Sequence, residues 1–351
     1  MSTVKTDGKK VYIEGVRRMS WDTGEMCEFA SALVSAMLSL GEPVPYEYIM
    51  GTSGVAFRFT LNPGEWDFGN YSIRNIAVDV DEPVRRAIDA TGYAYTLCEK
   101  TTWQDDAGAI IASINRGIPV LAYGVVGPSD CCIITGYDED GDVLLGWSTY
   151  QDIPDDHNIP HDVTGYFRKP GWHDKLGGYV LIGSKRERQP LQTIYLDALK
   201  WAVHLLRTPR MDNKITGLEG LRVWAEEMTQ EKYFPEGDEQ TVGWRYVSAA
   251  VNMTMLRDHC TAEAFLNQVI KDVPGFQPEL SLATECYGDV KRIRNGMDDI
   301  IGDNFAEQAM KAIAVPDMRR AYAEAILQIR DKEQEAVTHI ERLIERSGVQ
   351  R

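Results

Sequence analysis

Apolar and polar positions change rhythm near the middle of the chain. Up to about residue 185 short alternating runs are interleaved with helical spacing. Beyond the polar run Lys185-Arg186-Glu187-Arg188-Gln189-Pro190 the helical period takes over. This predicts two domains, residues 1–186 with mixed α+β structure and residues 187–351 all helical. In the first, Lys9 to Glu14 alternates like a strand, and Asp22-Thr23-Gly24-Glu25 offers cap residues for a helix running to about Leu40, with Gly41 closing it. Ala30, Ala32, Leu33, Val34, Ala36, Met37 and Leu38 leave that helix almost no polar face, so it is expected to be buried nearly all round.

A Gly- and aromatic-rich stretch follows from Tyr46 to Asn75. The pattern then predicts helix over Pro83 to Ala90, strand over Tyr93 to Leu97, helix over Ala107 to Asn115 and strand over Pro119 to Val125. After that it is β only: Cys131 to Tyr137, a turn at Asp138 to Asp142, Val143 to Trp147, and Tyr179 to Gly183. A buried helix ahead of an antiparallel sheet is the expected architecture. In the second domain, helices are predicted over Leu191 to Leu206, Leu218 to Met228 (opened by a capping box, Thr216 to Glu219), Gln240 to Leu256, Ala262 to Ile270 and around Leu280 to Ile293. A last helix, Pro316 to Ile344, carries Met318, Tyr322, Ala325, Ile329, Ala336, Ile340 and Leu343 on one stripe, a candidate homodimer surface. No fixed-period repeat accompanies these helices, so a bundle is expected.

Composition narrows the classes of function. With 44% hydrophobic and 26% charged residues the chain has material for a core, which excludes wholesale disorder. Its 37 Lys and Arg stand against 53 Asp and Glu, a net charge of −16 that disfavours nucleic acid and anionic lipid as partners. No run approaches the ~20 apolar residues of a membrane span, and the polar start lacks the apolar core of a secretory signal. A cytoplasmic protein is expected. The six cysteines show no CxxC spacing, so they read as reduced thiols, with no metal or cofactor indicated.

Cys27 is the residue singled out for chemistry. It opens the predicted central helix, where unpaired N–H groups and the helix dipole favour a thiolate. The plain alternative is a buried cysteine among Ala and Ser neighbours, and the adjacent Glu28 opposes ionisation of the thiol. Two other signals carry less. Asp138 to Asp142 lacks the order of a calcium loop, and Gly51-Thr52-Ser53-Gly54 is followed by Val55 where a nucleophile elbow needs glycine. Trp21, Phe57, Trp66, Tyr71 and Trp147 can line a cleft or simply pack.

Cys27 at a helix start, Gly41 after it, the run Gly117-Ile118-Pro119-Val120-Leu121-Ala122, and Cys132-Ile133-Ile134-Thr135-Gly136-Tyr137-Asp138 together resemble the papain-like cysteine peptidase group. Within it the closer likeness is to the family of the butirosin biosynthesis protein H N-terminal domain, whose Gly-rich, Phe-containing segment is matched by Gly51 to Arg58. The resemblance covers roughly Lys9 to Gly183. It implies a central helix packed on an antiparallel sheet, and acyl transfer from a carrier-protein-bound thioester to an amine, or hydrolysis of an amide, on a small-molecule or peptide substrate. Cys27 would be the nucleophile.

The chain departs from the family pattern at the base. Asp130 and Cys131 stand where the peptidases carry histidine, and Trp147-Ser148-Thr149 where an orienting Asp or Asn belongs. Trp21 occupies the place of the oxyanion glutamine. No histidine precedes His157, so the base falls to Asp130 or to a loop histidine among His157, His161 and His173. Cys131 and Cys132 point to opposite faces of one strand, which puts one of them beside Cys27. Ser53, Phe57, Arg58, Trp21, Cys131 and Trp147 are the expected substrate-binding residues. The second reading is a catalytically inactive binding protein on the same scaffold. Gly217 to Trp224 resembles the start of a helical extension that follows such domains in uncharacterised bacterial proteins, and implies no activity.

Overall fold

The computed structural model describes residues 3–65, 71–153, 159–301 and 311–348. The chain divides into two compact units, one made of Met1–Ile49 and Ile88–Arg188, the other of Met50–Ala87 and Gln189–Arg351. The last crossing, at Arg188, falls in the polar run. Residues 50–87, which the pattern groups with the first half, cluster with the helical half instead.

The first unit is α+β. Its strands are β1 (Thr3–Asp7), β2 (Lys10–Glu14), β4 (Tyr93–Cys98), β5 (Val120–Tyr123), β6 (Cys131–Asp138), β7 (Val143–Trp147), β8 (Phe167–Pro170) and β9 (Gly178–Lys185). They join in the order β1-β2-β6-β5-β9-β4, with β7 on β6 and β8 on β7, every pairing antiparallel. Glycine permits the closest approaches. A Cβ on Gly146 would lie 2.1 Å from the Ile133 carbonyl oxygen, and one on Gly136 2.6 Å from that of Val11. Helix α1 (Glu28–Ser39) packs on β5 and β6, with Leu38 its one exposed residue at 44%. Helix α4 (Trp103–Asn115) packs on β2, β5 and β6.

α1 begins later than the cap signals suggest. Ser20, Asp22 and Thr23 spend their side chains locally: the Asp22 N–H donates to Ser20 Oγ (3.2 Å) and Thr23 Oγ1 to the Ser20 carbonyl (2.7 Å). They close a single 3₁₀ turn, Trp21–Thr23, which Gly24 ends at φ 79°. Cys27 is therefore the N-cap of α1 and not a residue of its first turn. The strands β1 and β8 were not legible: β1 is nearly all exposed and lacks an apolar face, and β8 is Phe-Arg-Lys-Pro.

The second unit holds β3 (Thr60–Leu61), β10 (Arg210–Met211) and β11 (Lys214–Thr216) in a small antiparallel sheet. Its helices are α5 (Leu191–Arg207), α6 (Gly217–Met228), α7 (Glu239–His259), α8 (Ala262–Asp272), α9 (Gln277–Ile301) and α10 (Pro316–Arg346). Two helices are divided between the units, α2 (Tyr46–Ser53) and α3 (Glu82–Thr91). The predicted capping box does not form. Thr216 Oγ1 donates to the Thr208 carbonyl at 2.6 Å, and Glu219 is clamped by Arg222 at 2.6 and 2.8 Å. The stripe of α10 is occupied within the unit: α10 packs along α9, α6 and α5, burying Tyr322, Ala325, Ile329, Ala336, Ile340 and Leu343. No helix among the described residues is long and apolar enough to cross a membrane.

Candidate functional site around Cys27

Cys27 is 4% exposed. Its N–H donates to the Tyr46 hydroxyl at 2.9 Å, and its carbonyl accepts the Ser31 N–H at 3.0 Å, the first bond of α1. Its own side chain makes no capping bond. The loop before it is tied to α1 by Arg17, whose guanidinium pairs with Glu25 (2.8 Å) and reaches Ser35 Oγ (3.2 Å), while Ser31 Oγ donates to Glu25 (2.7 Å). Trp21, earlier in the same loop, donates its indole N–H to the buried Glu28 at 3.3 Å.

Trp21 also meets Tyr150 edge to face, with ring centroids 4.8 Å apart. The Tyr150 hydroxyl donates to Asp130 at 2.9 Å. Burial, together with the Glu28 and Asp130 carboxylates, pushes the Tyr150 phenol far above its ordinary range, so it stays a neutral donor. Gly127 makes room for it, since a Cβ there would lie 2.6 Å from the Tyr150 ring. Burial likewise pushes the Cys131 thiol well up, and Cys132, Cys27, Glu28 and Asp130 all add to that. Cys131 is thus the strand cysteine in the electrostatic neighbourhood of Cys27. The Cys132 thiol faces β5, donates to the Ala122 carbonyl at 3.4 Å, and is pushed by burial up to about 12.

Two opposed fields meet at this place. The N–H groups at the head of α1 favour negative charge, while Glu28 and Asp130 disfavour it. Trp147 contributes structure close by: its indole N–H donates to the Val16 carbonyl (2.9 Å) and its ring lies edge-on to Tyr166 (4.9 Å).

The other expected residues lie in the second unit, each with a partner there. Ser53 is fully buried, its Oγ donating to the Met50 carbonyl at 3.2 Å. Phe57 packs edge-on to Phe265 (6.1 Å) and Tyr287 (5.6 Å). Arg58, 1% exposed, pairs with the equally buried Asp258 at 3.0 Å. The glycines of Gly51 to Arg58 serve the same packing: a Cβ on Gly51 would meet the Phe265 ring at 2.2 Å, and one on Gly54 the Trp201 indole at 2.4 Å. Tyr71 stacks beneath the Arg58 guanidinium at 5.1 Å. Trp66 and His157 lie outside the described residues.

The loop histidines have definite partners. His161 Nε2 lies 3.6 Å from Asp152. His173 Nε2 lies 2.9 Å from Asp106, a buried carboxylate that also accepts the Tyr179 hydroxyl (3.1 Å) and both the N–H and hydroxyl of Thr101 (2.9 and 2.7 Å). Burial raises the Asp106 pKa, but these hydrogen bonds outweigh it and hold the carboxyl below its ordinary value. Tyr179 pairs across the sheet with Cys98, whose thiol is raised by burial. This Asp–His pair is a constellation that periodicity could not reveal, because its members come from α4, β9 and two loops. Among the described residues no group of His, Cys, Asp and Glu is placed to hold a metal ion. Compared with known protein families and with curated proteins, the chain matches none.

Proposed function

We propose that the first unit is a papain-like scaffold working as a cysteine-dependent acyltransferase or amide hydrolase, with Cys27 as nucleophile and Asp130 in the place of the missing histidine. The observation that carries this reading is the seat of Cys27: the N-cap residue of the buried helix, in the same electrostatic neighbourhood as Cys131 and Asp130, whose carboxylate accepts the Tyr150 hydroxyl. In the reaction the Cys27 proton passes to the Asp130 carboxylate and the thiolate attacks the acyl carbon. The leaving thiol or amine takes that proton; an amine or water then attacks the Cys27 thioester, its proton passing through Asp130 to the Cys27 sulfur as the C–S bond breaks, which releases the acyl group and restores the thiol. Six free thiols suit a reducing, cytoplasmic setting.

A second reading, a non-catalytic binding cleft for an amine-bearing ligand, is favoured by one feature of the same site. Glu28 and Asp130 supply two carboxylates beside the edge-to-face pair of Trp21 and Tyr150. Timed alkylation separates the two. Under the enzymatic reading, iodoacetamide at pH 7 labels Cys27 faster than free cysteine, and Asp130→Asn slows the labelling because the lost proton acceptor outweighs the removal of a charge that opposes the thiolate; a pure electrostatic neighbour would speed it. If Cys27 reacts no faster than free cysteine, the nucleophile is lost and the binding cleft stands.

A further inference from the structure

In the second unit a cavity of about 310 Å³ opens between β3, the segment 76–79, α5 and the β10–β11 hairpin. Its floor is mostly apolar: Phe59, Ile76 and Leu205 are 1%, 2% and 7% exposed, with the buried Arg58, Thr60 and Thr216 among them. Its mouth carries Val78, a valine left 70% exposed, and the exposed residues His204 and Arg210.

The charges at the cavity are not equivalent. Asp79 is held by Arg85, and Glu82 by Arg85 and Arg86 (3.4 and 2.8 Å). Arg58 is paired with Asp258. Arg210 makes no ion pair among the described residues; the acid it influences, Glu219, is itself clamped by Arg222. His204 lies flat on Trp201 with centroids 5.1 Å apart and planes at 15°, while Arg86 covers the indole at 4.5 Å. The Trp201 ring is therefore already in use, and what the mouth offers a ligand is one cation without an ion-pair partner among the described residues, above a mostly apolar floor.

We infer that this cavity is a binding site for a small amphipathic monocarboxylate, its apolar body on Phe59, Ile76 and Leu205 and its carboxylate at Arg210. At water's share of about 30 Å³ per heavy atom the volume takes on the order of ten non-hydrogen atoms, the size of octanoate.

The test uses the full-length protein with octanoate, octylammonium and octan-1-ol as probes, followed by calorimetry and by the ¹³C-methyl spectrum of its methionines. Met211 lines the cavity, whereas Met253 is fully buried and does not line it. Octanoate is expected to shift the Met211 resonance, assigned through Met211→Leu, with Met253 unmoved, and to bind at least several-fold more tightly than octylammonium. Arg210→Gln and Val78→Glu change exposed side chains. The first should weaken octanoate about three- to tenfold and leave octanol unaltered, and the second should weaken octanoate further than octanol. The inference is overturned if millimolar octanoate leaves Met211 unmoved, if octylammonium binds as well, or if Arg210→Gln binds octanoate like the parent.

Discussion

Two buried aspartates show how differently one residue type behaves according to its company. Asp258 sits in the helical unit with Arg58 as its main partner, and burial, though opposed by Arg58, pushes its carboxyl up to about 6 from 3.8. The folded state thus holds a proton more tightly there than the unfolded one. The stabilisation from this group is complete below about pH 3.8 and is lost as pH rises through 6. Asp106 is the reverse case: hydrogen bonds from Thr101, His173 and Tyr179 lower its pKa, so its stabilisation is complete above 3.8 and is lost as pH falls through its folded value. Urea unfolding from pH 4 to 7 should therefore show the stability advantage of the parent over Asp258→Asn shrinking with rising pH. A difference that stays flat would refute the shifted carboxyl. At pH 7, Arg58→Met leaves a buried carboxylate unpaired and should cost about 3–5 kcal/mol. Asp106→Ala strands four donors and should cost about 2–4 kcal/mol, read as a drop in the urea midpoint.

At the scale of strands and helices, glycines separate tight from open places. Gly146→Ala would drive a methyl into the Ile133 carbonyl of the adjoining strand, where neither backbone can yield, and should destabilise by about 3 kcal/mol or more or abolish soluble expression. Gly108 lies exposed in α4, and a methyl added there would meet nothing within 4 Å, so Gly108→Ala should stabilise by about 0.5–1 kcal/mol in the same assay. The strands Cys131 to Tyr137 and Val143 to Trp147 were legible as short apolar runs bounded by turn residues, since they are buried on both faces, and the period of α5, α6 and α8 because each helix buries one regular face. Gly41 closes α1 as its position suggests, at φ 81° with the Glu42 N–H on the Met37 carbonyl (3.0 Å), but the N-terminal caps were not legible: Thr23 and Thr216 have the right chemistry, yet each hydroxyl bonds another backbone carbonyl. The seat of Cys27 at the head of α1 could be read, but not the Tyr150–Asp130 bond, since nothing in the local pattern says which side chains a loop will bring back.

For the whole molecule, the decisive fact hidden from periodicity is the allegiance of residues 50–87. The described part of the segment buries Val55, Phe57 and Phe59 beside the charged Arg58, but which core these residues fill depends on partners such as Phe265, Trp224 and Asp258 far along the chain. A fragment spanning 187–351, cut where the sequence texture changes, lacks Phe57, Arg58 and Phe59. It should retain helical far-ultraviolet dichroism while losing the near-ultraviolet signal and binding a hydrophobic dye. A fragment with native near-ultraviolet dichroism would show that the helical half closes its core unaided.

The same interleaving sets a timetable. Phe57 leaves the ribosome roughly 200 residues ahead of Phe265, the ring it will lie against, an interval of about 10–40 s at ordinary rates of synthesis. Through that wait an oily stretch must stay in solution beside a neighbouring unit that is already complete. The nascent protein is then a natural client for chaperones, and slowing translation between those two points lengthens its most vulnerable moment.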